Sequence, residues 1–294
     1  MYTITLSQRF DSTSKATLAW QSAAYSPPPR SLFSSTASAM RPSCPADAHH
    51  VVRIGAPSVP SVAPHTFRDT DDRSRHMRIG ILGTGAMATA LGAAWVRAGH
   101  DVRVGGRDTE AASRTARRTG ASGHGGLAEA AAHGEVVLAA VPAAAAPRLA
   151  GDLAHLLVGR TLIDCTVPMA PGPDGPALTT GGATSVARLV AEAAPGAHVV
   201  KAFGVCHESI WTLDRPAFEG TPLAVPFCTD RPGAAARVSE LIASMGCTPL
   251  PCGGLGRAAL LEATAVFAVG VWWSGADARF VFPAPALAPG AVDD

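Results

Sequence analysis

From Met77 onward, short unbroken apolar runs alternate with longer stretches in which apolar residues recur every three or four positions. Unbroken runs suit strands covered on both faces, and the longer period suits the helices that cover them, so the alternation predicts a mostly parallel sheet. "RIGIL" predicts the first strand, and Met87, Leu91, Ala94 and Trp95 share one face of the helix after it, which Gly99 closes. "DVRVGG" predicts the second strand and Asp108 to about Arg118 a polar helix; a Gly-rich connection with "LAEAAAHG" follows. "EVVLAAVP", "RTLIDCTVP", "HVVKAF", "PLAVPFC" and "CTPLPC" predict five more strands. The Pro- and Gly-rich "MAPGPDGPALTTGGAT" reads as a mobile loop covering a site. "AALLEATAVFAVGVWW" is the longest apolar run; Glu262 interrupts it and the uncharged remainder is short for a bilayer, so it predicts a buried helix.

The turn between the first strand and its helix carries the first candidate chemistry. Gly83, Thr84, Gly85, Ala86, Met87 and Ala88 form a G-x-G-x-x-A pattern inside a unit of about 30 residues. Gly83 permits a tight turn, Gly85 leaves no side chain to block a pyrophosphate, and Ala88 lets helix and strand approach. The first amides of the helix, reinforced by its dipole, then face the phosphates. The expected fold class is therefore α/β, a Rossmann-type doubly wound, mostly parallel sheet with a small C-terminal helical extension. Strand two ends in Gly105-Gly106-Arg107, without the acid that binds both ribose hydroxyls in NAD sites. Arg107 can meet a 2′-phosphate and Thr84 can add a hydroxyl, which favours NADP(H); the competing reading is a solvated Arg107 beside an Asp108 that caps the next helix. Arg114, Arg117 and Arg118 read as an exposed face.

Composition changes the picture mainly at the ends. Residues 1–76 are rich in Ser, Pro and Ala without an apolar period, and are expected to be a disordered extension preceding a natural start at Met77. No secretory signal pattern opens the chain. The catalytic unit is expected over 77–275, with a Pro/Ala-rich tail at 276–294. A formal charge of +1 without a dense basic run argues against nucleic acid, and no membrane span is expected. Six scattered cysteines without a CxxC pair predict neither a metal centre nor a disulfide framework, and suit a reducing cytoplasm.

"MRIGILGTGAMATALGAAWVRAGHDVRVGGRD", "EVVLAAVP", "LIDCTVP" and "VVKAFG", in that order, resemble the family of NADP oxidoreductases that depend on coenzyme F-420, with its broad bacterial relatives, over about residues 77–273. The resemblance implies that the nicotinamide lies across the carboxyl edge of the sheet with Val141, Pro142 and Thr166 beside it, and that the "LGRAALLE" segment begins a last helix packed on the sheet. It implies NADP(H) as cofactor and a deazaflavin such as coenzyme F-420 as acceptor. Bacterial relatives commonly read Lys-Ala-Phe-Asn where this chain has Lys201-Ala202-Phe203-Gly204, and Thr166-Val167-Pro168 replaces "VTNP". Archaeal members that reduce the deazaflavin carry a histidine near the place of Gly204, so its absence here weakens the deazaflavin assignment but not the NADP one.

Hydride transfer between two rings needs positioning above all, whereas reduction of a C=N or C=O bond also needs a proton donor. His207 is the candidate catalytic donor, with Glu208, Cys206 and Lys201 nearby; alternatively His207 and Glu208 open a short helix and Lys201 ties down the backbone at a strand end. Asp164 and Cys165 read as structural, and Trp272 and Trp273 as core or the seam of a homodimer. The expected function is hydride transfer between NADPH and a deazaflavin-like coenzyme or small organic acceptor. An imine or carbonyl reductase on the same scaffold, or a non-catalytic NADP(H) sensor, are the alternatives.

Overall fold

Strand β1 (Arg78–Leu82) lies in the middle of an eight-stranded sheet because its side chains are apolar on both faces and buried from Ile79 onward. This computed structural model describes residues 76–276 and Val281; the expectations for the N-terminal extension and for nearly all of the tail lie outside the described residues. After β1 come α1 (Ala86–Arg97), β2 (Asp101–Gly105), α2 (Thr109–Thr119), β3 (Gly123–Gly125), α3 (Leu127–His133) and β4 (Val136–Ala139). Two short helices, α4 (Ala146–Asp152) and α5 (Ala154–Leu157), lead to β5 (Thr161–Asp164). A hairpin of β6 (Met169–Gly172) and β7 (Gly175–Leu178) precedes α6 (Val186–Ala193) and β8 (His198–Ala202). A two-residue ribbon, β9 (Ala217–Phe218) with β10 (Thr221–Pro222), leads to β11 (Ala224–Cys228), α7 (Pro232–Ser244), β12 (Thr248–Pro251) and α8 (Ala258–Trp273).

The sheet order is β12-β11-β8-β5-β4-β1-β2-β3, parallel from β3 to β8, with β11 antiparallel to β8. The chain runs outward through β2 and β3 and then reverses to β4 on the other side of β1, which places a crevice at the carboxyl ends of β1 and β4. Two apolar layers cover the faces. Leu91, Trp95, Val238 and Leu241 from α1 and α7 fill one, and Ala130, Ala150, Val186 and Val190 from α3, α4 and α6 fill the other. The doubly wound architecture thus follows the pattern of apolar runs, and each long strand predicted from them is present.

Helix signals also act where they were read. Asp108 caps α2 by accepting from Glu110 N and Ala111 N at 2.9 and 3.2 Å, and Gly120 ends it in the left-handed region. Three expectations need correction. Segment 169–178 is a hairpin rather than an irregular loop: Pro171 and Pro176 face each other in its register, and proline so placed hides a strand from composition. Strand β3, Gly-His-Gly, is invisible for a similar reason. Helix α8 buries Ala258, Glu262, Ala265, Val266 and Ala268, but Leu260, Phe267, Trp272 and Trp273 are exposed. It is therefore only part-buried, and the tryptophans are not core. The segment Leu255–Trp273 is, by length and composition, apolar enough to cross a membrane, at a mean hydropathy of 1.4.

One buried polar contact gives the fold a pH dependence. His100 Nδ1 accepts from Met77 N at 3.2 Å, and its Nε2 lies 3.0 Å from Ser244 Oγ, joining the start of β1 to the end of α7. The acceptor role requires an unprotonated Nδ1. Burial, with His76 nearby, holds the imidazole below its ordinary value of 6.5. A folded value below the unfolded one means that the contribution is complete above about pH 6.5 and is lost as pH falls through the folded value. Thermal melting should therefore drop on acidification below pH 6.5 more steeply in the wild type than in His100→Gln, and parallel profiles would refute the assignment.

Candidate cofactor and hydride-transfer site

The glycine turn occupies the crevice between β1 and β4. Gly83 has φ +132°, its amide donates to Gly105 O at 2.8 Å, and a Cβ built on it would stand 2.1 Å from Ala140 O. Gly85 differs: it is exposed, its backbone is extended, and an added Cβ would meet nothing within 4 Å. It caps α1 without any side-chain hydrogen bond, and no acid occupies the first turn. The leading amides of α1, at Ala86 and Met87, consequently receive no capping side chain and carry the positive end of the helix dipole. Thr84 is half-buried; its carbonyl accepts from Thr115 Oγ1 at 3.3 Å, which ties the turn to α2. This bare cradle fits a diphosphate.

Arg107 follows β2 and is exposed, while Arg114 is engaged with Glu110 at 3.2 Å and Asp108 at 3.9 Å. Arg107 thus presents an exposed guanidinium just beyond the carboxyl end of β2. On the other side of the crevice Val141 is half-buried and Pro142 exposed, directly after β4. Thr166 is buried just beyond β5.

A narrow cleft opens at the carboxyl ends of β5 and β8, lined by Thr166, Val167, Phe203, Gly204, Leu261 and neighbouring residues. Phe203 holds φ +66°, and its buried ring packs edge-on between Trp95 and Trp211, with centroids 5.8 and 5.3 Å away. A bulky residue kept in the left-handed region needs over-determining contacts, which the two indoles provide. Lys201 and Glu262 also line the cleft; Lys201 Nζ lies 2.9 Å from Asp164 Oδ2 and 2.9 Å from Glu262 Oε1, all three side chains being almost wholly buried. Burial alone would lower the ammonium's pKa, but the two carboxylates outweigh it and hold the group above its ordinary value. Cys165 donates to Ala139 O, and burial pushes its thiol up to about 12, so it is not a nucleophile at neutral pH.

The ionic cluster was not assembled from the sequence. Its signal was present as one charge in each of three apolar runs, "LIDC", "VVKAF" and "ALLEA", since a lone charge among buried residues demands a partner. The reading of Asp164 and Cys165 as structural and of Lys201 as a backbone tie agrees with these contacts. His207 takes the other role read for it: it caps the 3₁₀ turn Glu208–Thr212, accepting from Ser209 N, with Nε2 3.3 Å from Glu208. Its side chain is 63% exposed and does not line the cleft. Among the described residues no group of three or more His, Cys, Asp or Glu side chains is arranged to hold a metal ion.

Residues 78–168 match the family model of NADP oxidoreductases, coenzyme F-420-dependent. That stretch spans the glycine turn, Arg107, Val141, Pro142 and Thr166. A glycerol-3-phosphate dehydrogenase [NAD(P)+] of Azorhizobium caulinodans is 37% identical over an alignment 131 residues long, which covers 40% of this chain and only 38% of that relative's length. Among solved structures, one from Arthrobacter sp. FB24, provisionally assigned as an F-420-dependent NADP reductase, superposes with a TM-score of 0.61 at 25% identity, covering 68% of this chain and 96% of that one. An imine reductase from Pseudomonas sp., at 17% identity and a TM-score of 0.52, covers 68% of this chain and 64% of that one and shares the fold. The resemblance read from the sequence is carried by these matches, and the fold is that of Rossmann-type reductases.

Proposed function

We propose that this chain is an NADP(H)-dependent oxidoreductase that passes hydride between NADPH and a deazaflavin-type coenzyme or a small organic acceptor. The observation that carries the reading is the uncapped, sterically open start of α1 at Gly85, with Arg107 exposed at the end of β2. Gly83, Thr84, Gly85, Ala86 and Met87 would hold the diphosphate and Arg107 the 2′-phosphate. Val141, Pro142 and Thr166 would border the nicotinamide, which supplies the hydride when bound.

What the protein itself supplies is placement. The amides of α1 bind and orient the phosphates, the apolar cleft wall excludes water, and the sheet edge fixes where a second ring can lie. Tryptophan quenching with NADPH and NADH tests the cofactor, and the absorbance of oxidised coenzyme F-420 mixed with NADPH tests the acceptor. Nucleotide binding followed by bleaching supports the reading, whereas absence of binding by either nucleotide overturns it. Binding without bleaching directs the search to imines and carbonyls, for which the exposed His207 is the proton donor to test. Arg107→Asp should weaken NADPH binding by about 1–3 kcal/mol, as expected for a lost charged hydrogen bond, with NADH little affected. An unchanged preference between the two would remove Arg107 from the site.

A further inference from the structure

Lys201 has three ammonium protons and three acceptors that take them: Asp164 Oδ2 at 2.9 Å, Glu262 Oε1 at 2.9 Å and Thr166 O at 2.5 Å. No proton is left for a substrate, so the side chain cannot act by donating to one. Glu262 also accepts from Val186 N through both carboxylate oxygens, at 3.0 and 3.1 Å, and Val186 is the first residue of α6. Its charge is therefore balanced by the ammonium on one side and a helix N-terminus on the other. Asp164 uses its second oxygen to accept from Thr166 N at 2.9 Å.

Thr166 is thus gripped at both ends of its own backbone, its N–H by Asp164 and its C=O by Lys201. Its side chain shows the opposite: Thr166 Oγ1 is buried and has no hydrogen-bond partner among the described residues. A buried hydroxyl left unpaired costs about 1–3 kcal/mol, so a fold that fixes the backbone of such a residue while leaving its hydroxyl unspent has a partner still to come. Thr166 lines the cleft beside Phe203 and Gly204. A buried ionic cluster is also a poor means of gaining stability alone, because well-packed apolar residues do as well or better; what it adds is direction.

We propose that Asp164, Lys201 and Glu262 form a positioning latch, through which α8 fixes Thr166 so that its hydroxyl donates to a carbonyl oxygen at the nicotinamide end of the dinucleotide. Lys201 and Glu262 are positioning residues; Thr166 makes the contact. The inference rests on the proposed NADP(H) site, and the experiment separates the two. Calorimetry with NADPH and with 2′-phospho-ADP-ribose, which keeps both phosphate anchors but lacks the nicotinamide, compares the wild type, Thr166→Val, Thr166→Ser and the charge-free triple variant D164N/K201M/E262Q.

The wild type should bind NADPH more tightly than the fragment. Thr166→Val and the triple variant should lose about tenfold of that advantage, fragment affinity staying within twofold, and Thr166→Ser should retain it. Thr166→Val should also melt no lower than the wild type, since it deletes an unpaired group. Retention of the advantage in Thr166→Val, or an equal loss for both probes in the triple variant, overturns the proposal. Failure of the wild type to bind either probe overturns the functional reading instead. Amide exchange over residues 166–178 in the free protein then judges the latch: faster exchange in the triple variant supports it and equal exchange refutes it. Should the triple variant not fold, Glu262→Gln alone removes one charge while keeping one carbonyl oxygen to accept from Lys201 or Val186, under the same criteria.

Discussion

Gly83→Ala is expected to cost the protein most of its stability, about 4–5 kcal/mol from a total of the usual 5–15. Two penalties coincide at this position. The backbone has φ +132°, where an L side chain is strained, and the new methyl would stand 2.1 Å from the carbonyl oxygen of Ala140. That oxygen belongs to the residue just after β4, whose own amide donates to Leu82 O at 2.9 Å. It cannot withdraw without opening the pairing between the two central strands. Urea unfolding should show the midpoint collapsing, and a loss below about 1 kcal/mol would mean that the turn relaxes in a way the structure does not suggest.

Gly85→Val should do the reverse. An extended backbone suits a β-branched residue, and the space around the position is open, so the melting temperature should be nearly unchanged. The isopropyl group would instead fill the approach to the amides of Ala86 and Met87. NADPH affinity should fall about 100-fold, near 2.7 kcal/mol, because the phosphates lose their closest donors. Titration of the folded variant checks this, and wild-type affinity would mean that the diphosphate lies elsewhere. Taken together, the two glycines divide one motif into a residue that builds the turn and a residue that leaves it vacant.

That division was readable from the sequence because both roles are local, set by the absence of a side chain between a strand and a helix. The long strands were readable for a similar reason, since residues apolar on both faces need no distant information to be assigned. The hairpin at 169–178 was not, because its strands pair through positions occupied by Pro and Gly, residues that count against a strand in any local tally. The cluster of Asp164, Lys201 and Glu262 was not either. Its members are separated by 37 and 61 positions: the parallel pairing of β5 with β8 sets Asp164 beside Lys201, and the packing of α8 brings in Glu262. The unpaired hydroxyl of Thr166 is a fact about surroundings, and no residue type announces it. Local reasoning thus reached the glycine turn, built by one strand and one helix, whereas Thr166 was named only through the resemblance and its surroundings are set by three elements remote in the chain.

Helix α8 illustrates what a single carboxylate can decide. Between Ala258 and Trp273 the helix carries one formal charge, and a surface so uniformly greasy could seat itself at several heights with similar contact area. A slide of one turn, about 5.4 Å, would bring Ala258 or Val266 opposite the ammonium, strand the Glu262 carboxylate without its counterpart and leave Lys201 to Asp164 alone. Glu262 therefore works as a key that admits one registration of the helix, and exchanging it for leucine should trade that uniqueness for an ensemble of neighbouring placements.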